Sequence, residues 1–471
     1  MSGLHVMMQR WRLPLVCALL LVSLGMAAIL AITAPSATQP LSGFVLLWSG
    51  CFIPYAVACL LILGTRELQG RARWIELVVI MVGALALRIL FLGKDPNLSH
   101  DSWRYLWDAR VTLHGYSPYV YAPGHSAVAS LRDFLYDNSR FRGVPTIYPP
   151  FAEMIYVFSY LLAPENLTVL KGIFVGCDLL ISGLLILTLQ KRGLDPARCI
   201  IYAWCPLPIV EFAMQGHVDV ITVLFSVAAI LCAQSQHKGL RALTGCCIAL
   251  AALVKIYPLL LLLVVWKKRD WTLLLTCFGI ILLSYIPYLI LGHGQVLGFF
   301  GTYAGETSSN AGPISLLARW LSTRLGLSKQ LIGLFVYAVD ALVMGSVVWL
   351  VFRARQRERL SMEAGALMLF GTIFAISPHI FPWYTTVLLP WVALLIRPFR
   401  LKNGALNPSA IAIAITWYFP CATLGGYFFL GAYQDWTWYY VLAYGLVLAG
   451  LGVVALLWSK QKKKNTFEVS V

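Results

Sequence analysis

Ile75-Glu76-Leu77-Val78-Val79-Ile80-Met81-Val82-Gly83-Ala84-Leu85-Ala86-Leu87-Arg88-Ile89-Leu90-Phe91-Leu92 is followed seven residues later by His100-Asp101-Ser102-Trp103-Arg104-Tyr105-Leu106-Trp107-Asp108-Ala109-Arg110. The first stretch is apolar for about five helical turns, enough to cross roughly 30 Å of hydrocarbon. The second is a dense charged and aromatic cluster placed directly where that span ends. Ionised groups at a membrane edge are expensive unless they are needed or paired. The pair of stretches therefore predicts a membrane helix that delivers chemistry to the bilayer surface.

The rest of the chain repeats the first stretch. Of 471 residues, 59% are hydrophobic and 12% charged, about half the charged fraction of a soluble domain. The mean hydropathy is +0.77. Apolar segments recur near 13–33, 44–64, 74–93, 151–163, 168–190, 198–213, 218–234, 240–267, 272–291, 330–352, 364–378, 383–396, 408–430 and 438–458. Backbone groups in lipid must be satisfied within the segment, which favours helices. The reading is an all-α polytopic membrane protein with about 12 to 14 spans. It forms a single integral domain over 1–471, since no linker or internal repeat divides it. Residues 13–33 could pass for a signal peptide, but the apolar core is long for one and an uncleaved first helix is expected.

The net charge of +16 does not point to nucleic acid, because the basic residues sit in short loops between spans. They are Arg66/Arg71/Arg73, Lys191/Arg192/Arg198, His237/Lys238/Arg241, Lys267/Lys268/Arg269, Arg353/Arg355/Arg357/Arg359, Arg397/Arg400/Lys402 and Lys460/Lys462/Lys463/Lys464. By the positive-inside rule these loops and the basic 459–471 tail face the cytoplasm. The 94–149 loop, with its short amphipathic helices, and the 293–329 loop then lie on the other side. The 11 cysteines fall mostly within apolar spans, with neither a CxxC pair nor a zinc spacing.

Prolines interrupt several segments: Tyr148-Pro149-Pro150, Pro206/Pro208, Lys255-Ile256-Tyr257-Pro258, and Ser377-Pro378-His379 with Pro382. Such breaks are tolerated at membrane depth where they line a wet cavity. The 151–163 segment could dip in without crossing, and 240–267 could be two half-helices meeting at Lys255. With the basic loops inward, the other polar groups fall on the opposite face. Asp101 or Asp108 could act there as a general base. Arg104, Lys255, His217 and His379 could hold a phosphate, and His100, Tyr105, Tyr119, Tyr148, Glu153, Asp219, Trp383 and Tyr384 could contact a sugar. Each has a plainer reading. Arg104 lies three residues after Asp101 and four before Asp108, so it could be a mere ion-pair partner. Lys255 could snorkel, His217 and Asp219 could cap a turn, and the aromatics could form an interfacial belt.

These residues carry a resemblance. Asp101 to Val111, then Gly115-Tyr116-Ser117-Pro118-Tyr119, Tyr148-Pro149-Pro150-Phe151, Glu211 with Gly216-His217-Val218-Asp219, Lys255 with Pro258, and Pro378-His379 with Pro382-Trp383-Tyr384 occur in order. The chain resembles the GT-C superfamily of membrane glycosyltransferases, in particular the bacterial mannosyltransferases that use polyprenyl-phosphate mannose. The resemblance implies a GT-C bundle in the inner (plasma) membrane with its site on the periplasmic face. It implies inverting transfer of a hexose, mannose foremost, to a hydroxyl of a glycan, glycolipid or protein. Asp101 matches the family's first-loop aspartate and is the expected base; Asp108 is the competing one. Some relatives carry two adjacent acids there, suggesting a metal. Here His100-Asp101 offers one carboxylate, so no cofactor is expected and a divalent ion is not required. A flippase of lipid-linked sugars, or a polymerase or ligase of lipid-linked glycans, is the alternative.

Overall fold

The computed structural model describes residues 3–36, 41–299, 313–326, 328–377, 380–401, 404–429 and 437–468. Among these the chain is helical, with no strand beyond an isolated bridge between Arg400 and Leu406. Eight helices are long and apolar enough to cross a membrane: Met7–Ile32, Ser42–Gly64, Gly70–Leu92, Leu167–Lys191, Trp271–Leu291, Gln330–Gln356, Pro408–Phe428 and Val441–Lys460. Four more apolar helices are shorter: Pro150–Leu162, Asp219–Ala233, Met362–Ile376 and Pro382–Leu395. The expected count of spans included these short pieces, which end at the proline and polar breaks seen in the sequence. The protein is a polytopic helical membrane protein.

Helices α1 (Gly3–Ile32), α2 (Ser42–Gly64) and α3 (Gly70–Leu92) form an antiparallel set. The basic loops at one end of the bundle are stitched to one another. Arg12 pairs with Glu76 at 2.7 Å and Asp195 at 2.7 Å and donates to the Arg66 carbonyl. Arg192 pairs with Glu363, and Arg241 with Asp270. Arg198 and Arg355 donate to the carbonyls of Ile396 and Val264. Most ion pairs at this end therefore also close helix-to-helix contacts. The opposite end is joined in the same way, by Asn97 to the Pro35 carbonyl and by the Phe299 amide to the Thr146 carbonyl.

Between α3 and the next long helix the chain stays at that opposite end. Helix α4 (Asp101–Leu113) follows, then a 3-10 turn (Ser126–Leu131), α5 (Phe134–Asn138) and α6 (Pro150–Leu162). Helix α6 starts beside the Leu253 carbonyl, which takes the Ala152 amide. It ends at Glu165, which pairs with Arg110 of α4. Helix α7 (Leu167–Lys191) then begins there too, because Lys171 donates to the Lys94 carbonyl at the end of α3. At 13 residues, α6 is one of the apolar helices shorter than the eight candidate spans. Helix α4 is enclosed between α6 and the loop: Ser102, Arg104 and Asp108 through Val111 are all buried.

Arg88 of α3 and Asp178 of α7 lie deep inside apolar helices and pair at 2.5 Å, both fully buried. A charge in the bundle interior is retained only with such a partner. The chain returns through α8 (Ile200–Ala203), α9 (Pro206–Ala213), α10 (Asp219–Ala233) and α11 (Lys238–Ala252). Helix α11 stops three residues before Lys255, and the path resumes as a 3-10 turn (Tyr257–Leu260) and α12 (Leu261–Val265). The two half-helices meeting near Lys255 are thus present. Near the C-terminus, the last helix runs Leu446–Glu468, so the basic residues from Lys460 to Lys464 extend a helix and not a free tail.

Candidate functional site

Helix starts and helix breaks meet at one place. Asp101 is the first residue of α4, and Asp219 is the first residue of α10. Carboxylates at helix N-termini are stabilised by the unpaired amides and the macrodipole there. The turn Met214–Val218 between α9 and α10 brings Gln215 and His217 to the same spot. Gly216 takes a left-handed conformation (φ +72°) in that turn. A Cβ on it would stand 3.1 Å from both Lys171 and Ser102. Only glycine lets this turn press against α4 and α7.

A cavity of about 330 Å3 opens beside Asp101. Its polar lining includes Asp101, Arg104, Asp108 and Arg140. Its aromatic lining is Tyr105, Phe141, Tyr148, Phe299, Phe381, Trp383, Tyr384 and Tyr427. A volume of this size, mostly apolar with a few convergent polar groups, is typical of a small-molecule site.

Asp101 remains 22% exposed, with its second oxygen 4.0 Å from His217 Nε2. The imidazole is fully buried and stacks on Trp383, centroids 3.8 Å apart and planes at 15°. Its Nδ1 lies 2.9 Å from Glu211 Oε2, and Tyr427 donates to Glu211 Oε1 at 2.9 Å. His217 is therefore held from behind and is not among the groups lining the cavity. Lys255 pairs with Asp219 at 3.6 Å and sits over the rings of Tyr148 (5.1 Å) and Tyr384 (4.7 Å).

Arg104 is more heavily engaged than a phosphate ligand needs to be. Nε donates to Asp108 at 2.8 Å, and Nη1 and Nη2 donate to the carbonyls of Phe141 and Val144, each at 3.0 Å. Three of its five donors thus fasten the wall of the cavity to α4, which leaves two. Asp108 is buried, and Thr146 at its side donates to Glu153 at 2.7 Å. Burial raises the Asp108 carboxyl above its ordinary range, against the opposing pull of Arg104.

Some of the expected sugar contacts lie elsewhere. His100 caps the approach to α4 and places Nδ1 2.9 Å from the Asn138 carbonyl. Tyr119 donates to the Tyr148 carbonyl at 2.7 Å and supports that residue from outside the cavity. Tyr105 lines the cavity, stacks on Tyr156 (4.3 Å, 2°) and shares a 3.0 Å hydroxyl contact with Tyr148. Burial pushes the Tyr105 and Tyr148 phenols well above the usual range, so both stay neutral. Trp103 packs edge-on to Phe134 and Trp107 packs against Tyr136, so neither presents a face to the cavity. Glu153 is buried beneath Thr146. His379 lies outside the described residues.

Sequence reasoning passed over four residues. Arg140 is exposed, lines the cavity and has neither a hydrogen bond nor an ion pair among the described residues. Gln215 is fully buried, and its Oε1 accepts from the amides of Asn97, Leu98 and Ser99, which lead into Asp101. Tyr427, 216 residues from Glu211, has no local motif. Lys171 is a buried cation in an apolar helix, a signal the sequence did offer. Among the described residues, no group of three or more His, Cys, Asp or Glu side chains is placed to hold a metal ion.

Comparison with known proteins adds one match. No curated protein and no solved structure matches the chain. The family model for Glycosyltransferase family 87 matches residues 146–378. The match takes in Tyr148, Glu153, Glu211, His217, Asp219 and Lys255. It stops short of Trp383 and begins at the end of the 94–149 loop, beyond Asp101 and Asp108. Family 87 is one of the GT-C families, and the helical architecture agrees with it: the chain belongs to the GT-C class of membrane glycosyltransferases.

Proposed function

We propose that the chain transfers a hexose, mannose foremost, from a polyprenyl-phosphate donor to an acceptor hydroxyl on the non-cytoplasmic face of the inner membrane, with inversion. Asp101 is the general base. The observation that carries this reading is Asp101 itself, a partly exposed carboxylate at the mouth of a cavity walled by aromatic rings. Asp108 is the weaker candidate because it is buried and already bonded to Arg104.

In this reading the acceptor hydroxyl gives its proton to Asp101 as its oxygen attacks the anomeric carbon. The bond from that carbon to the phosphate oxygen breaks, and the electron pair leaves with the phosphate. Cations stabilise charge that develops on the departing group. Arg140, together with the two remaining Arg104 donors, fills this role at the cavity wall. Lys255 acts from farther back, its direct partner being Asp219. Trp383, Tyr384 and Tyr148 line the cavity and are the aromatic side chains within reach of the sugars. The positive-inside pattern supports the non-cytoplasmic placement. Glycans, glycolipids and proteins are all acceptors of the right chemistry.

The test is to incubate membranes containing the protein with radiolabelled polyprenyl-phosphate mannose and follow the label into product. Asp101→Asn should slow transfer by about 100- to 10,000-fold. Unchanged transfer in that variant would move the base elsewhere, and label from glucose or arabinose donors alone would correct the sugar.

A further inference from the structure

The imidazole of His217 has no role in the reading above, yet it is among the most constrained side chains at the site. It is fully buried, and its ring lies flat on Trp383. One nitrogen is 2.9 Å from Glu211 Oε2. The other, Nε2, has no hydrogen-bond partner among the described residues and stands 4.0 Å from Asp101 Oδ2. A buried polar atom left open beside a reacting carboxylate calls for an explanation.

The two oxygens of Glu211 supply one. Oε1 takes the Tyr427 hydroxyl and Oε2 faces Nδ1. A carboxylate only accepts, so Nδ1 carries the hydrogen, and in the neutral imidazole the lone pair is on Nε2. The backbone fixes the same arrangement, because the His217 amide donates to the Glu211 carbonyl at 3.0 Å. Asp219 of α10 and Lys255, paired with each other, are further charged groups of this corner, and Lys171 packs against Gly216 of the same turn.

We propose that Glu211 and His217 form a proton-holding pair behind Asp101, resting on the assignment of Asp101 as base. After Asp101 has taken the acceptor's proton, its new O–H bond breaks and the proton passes to the Nε2 lone pair. Asp101 returns to carboxylate, and the imidazolium lies between two anions. Water in the open cavity removes the proton as product leaves. Rotation of the Asp101 side chain by about 1 Å brings the 4.0 Å gap to hydrogen-bonding distance. His217 is thus a positioning residue that acts through Asp101.

Two readouts on the full-length protein test this. The first is 15N NMR of histidine-labelled protein, with the His217 signals assigned by their loss in His217→Gln. Expected are a protonated Nδ1 and a bare Nε2, loss of the fixed tautomer in Glu211→Gln, and a displaced Nε2 signal in Asp101→Asn. A hydrogen on Nε2, or an Nε2 signal indifferent to Asp101→Asn, would overturn the proposal. The second is a mutant cycle on single-turnover transfer from polyprenyl-phosphate mannose. His217→Gln should slow the otherwise wild-type enzyme by roughly ten- to a hundredfold with acceptor KM little changed. In an Asp101→Asn background it should cost less than about twofold. Equal losses in both backgrounds would mean a purely structural role and sink the idea. The NMR arm needs no sugar donor, so a wrong donor would silence the kinetics without touching the imidazole signals.

Discussion

Gln215 offers the most direct test of how the fold holds the catalytic loop. Its side-chain oxygen accepts from the amides of Asn97, Leu98 and Ser99 at 3.1, 3.0 and 3.4 Å, and its amide nitrogen donates to Asn97 Oδ1 at 2.9 Å. All four residues are buried. Replacing Gln215 by Met keeps the length and removes every polar atom. An orphaned buried donor costs about 1–3 kcal/mol. The 3.4 Å contact lies at the limit of a bond and is discounted. Two orphaned amides and one orphaned amide oxygen then give about 3–9 kcal/mol, which entering water reduces to roughly 3–4 kcal/mol. Because these bonds tie only residues 97–99, the loss should be local. Amide hydrogen exchange at Asn97, Leu98 and Ser99 should accelerate by roughly two to three orders of magnitude, at 1.4 kcal/mol per factor of ten, while the Arg88–Asp178 region keeps its protection. Asp101 follows two residues later, and a displacement of about 1 Å at a catalytic group costs on the order of 100-fold in rate. Transfer should therefore fall without loss of the folded bundle. Unchanged exchange at these three amides would refute the reasoning, whatever happened to activity.

Other outcomes follow from the same geometry. Asp101→Asn should slow transfer by about 100- to 10,000-fold, whereas Asp108→Asn should cost far less and loosen the 141–144 wall; the reverse order in a labelled-donor assay would exchange their roles. Arg88→Leu leaves Asp178 buried without its partner and should cost about 3–5 kcal/mol in thermal or denaturant unfolding. The double change Arg88→Leu with Asp178→Leu should recover most of it. Arg140→Gln should raise the donor KM severalfold and weaken its salt dependence, with little change in stability, because the side chain is exposed. Burial raises the folded-state pKa of Asp108, so the native protein holds that proton more tightly than the unfolded chain. Its contribution to stability is therefore greatest at low pH and declines as pH climbs from the ordinary carboxylate range through the raised value. Unfolding curves across that window should flatten in Asp108→Asn.

How much of this was legible beforehand depends on whether a property was local. Apolar length and proline position are local, so the half-helices at Lys255 and the membrane class were both readable. Asp101 could be singled out because it sits just beyond a span. The roles of its neighbours could not be assigned from spacing. Arg104 could be read as a phosphate ligand or as an ion-pair partner, and it spends three of its five donors on Asp108 and two loop carbonyls, leaving two for a ligand. Tyr105, an expected sugar contact, does line the cavity, but its α4 neighbours Trp103 and Trp107 pack within the loop. Helix α4 is enclosed by neighbours that no local pattern announces.

The amino-acid order alone determined that this chain is a helical membrane protein with one polar end, because burial of apolar helices in lipid depends on composition over about 20 residues. It also determined which residues were chemically able to act. Only the tertiary structure decided which of them meet. Glu211, His217 and Tyr427 converge through a left-handed turn at Gly216 and a contact spanning 216 residues. Hydrogen bonds reach about 3 Å and carry no sequence periodicity, so a site assembled from distant helix ends exists only once those ends are packed.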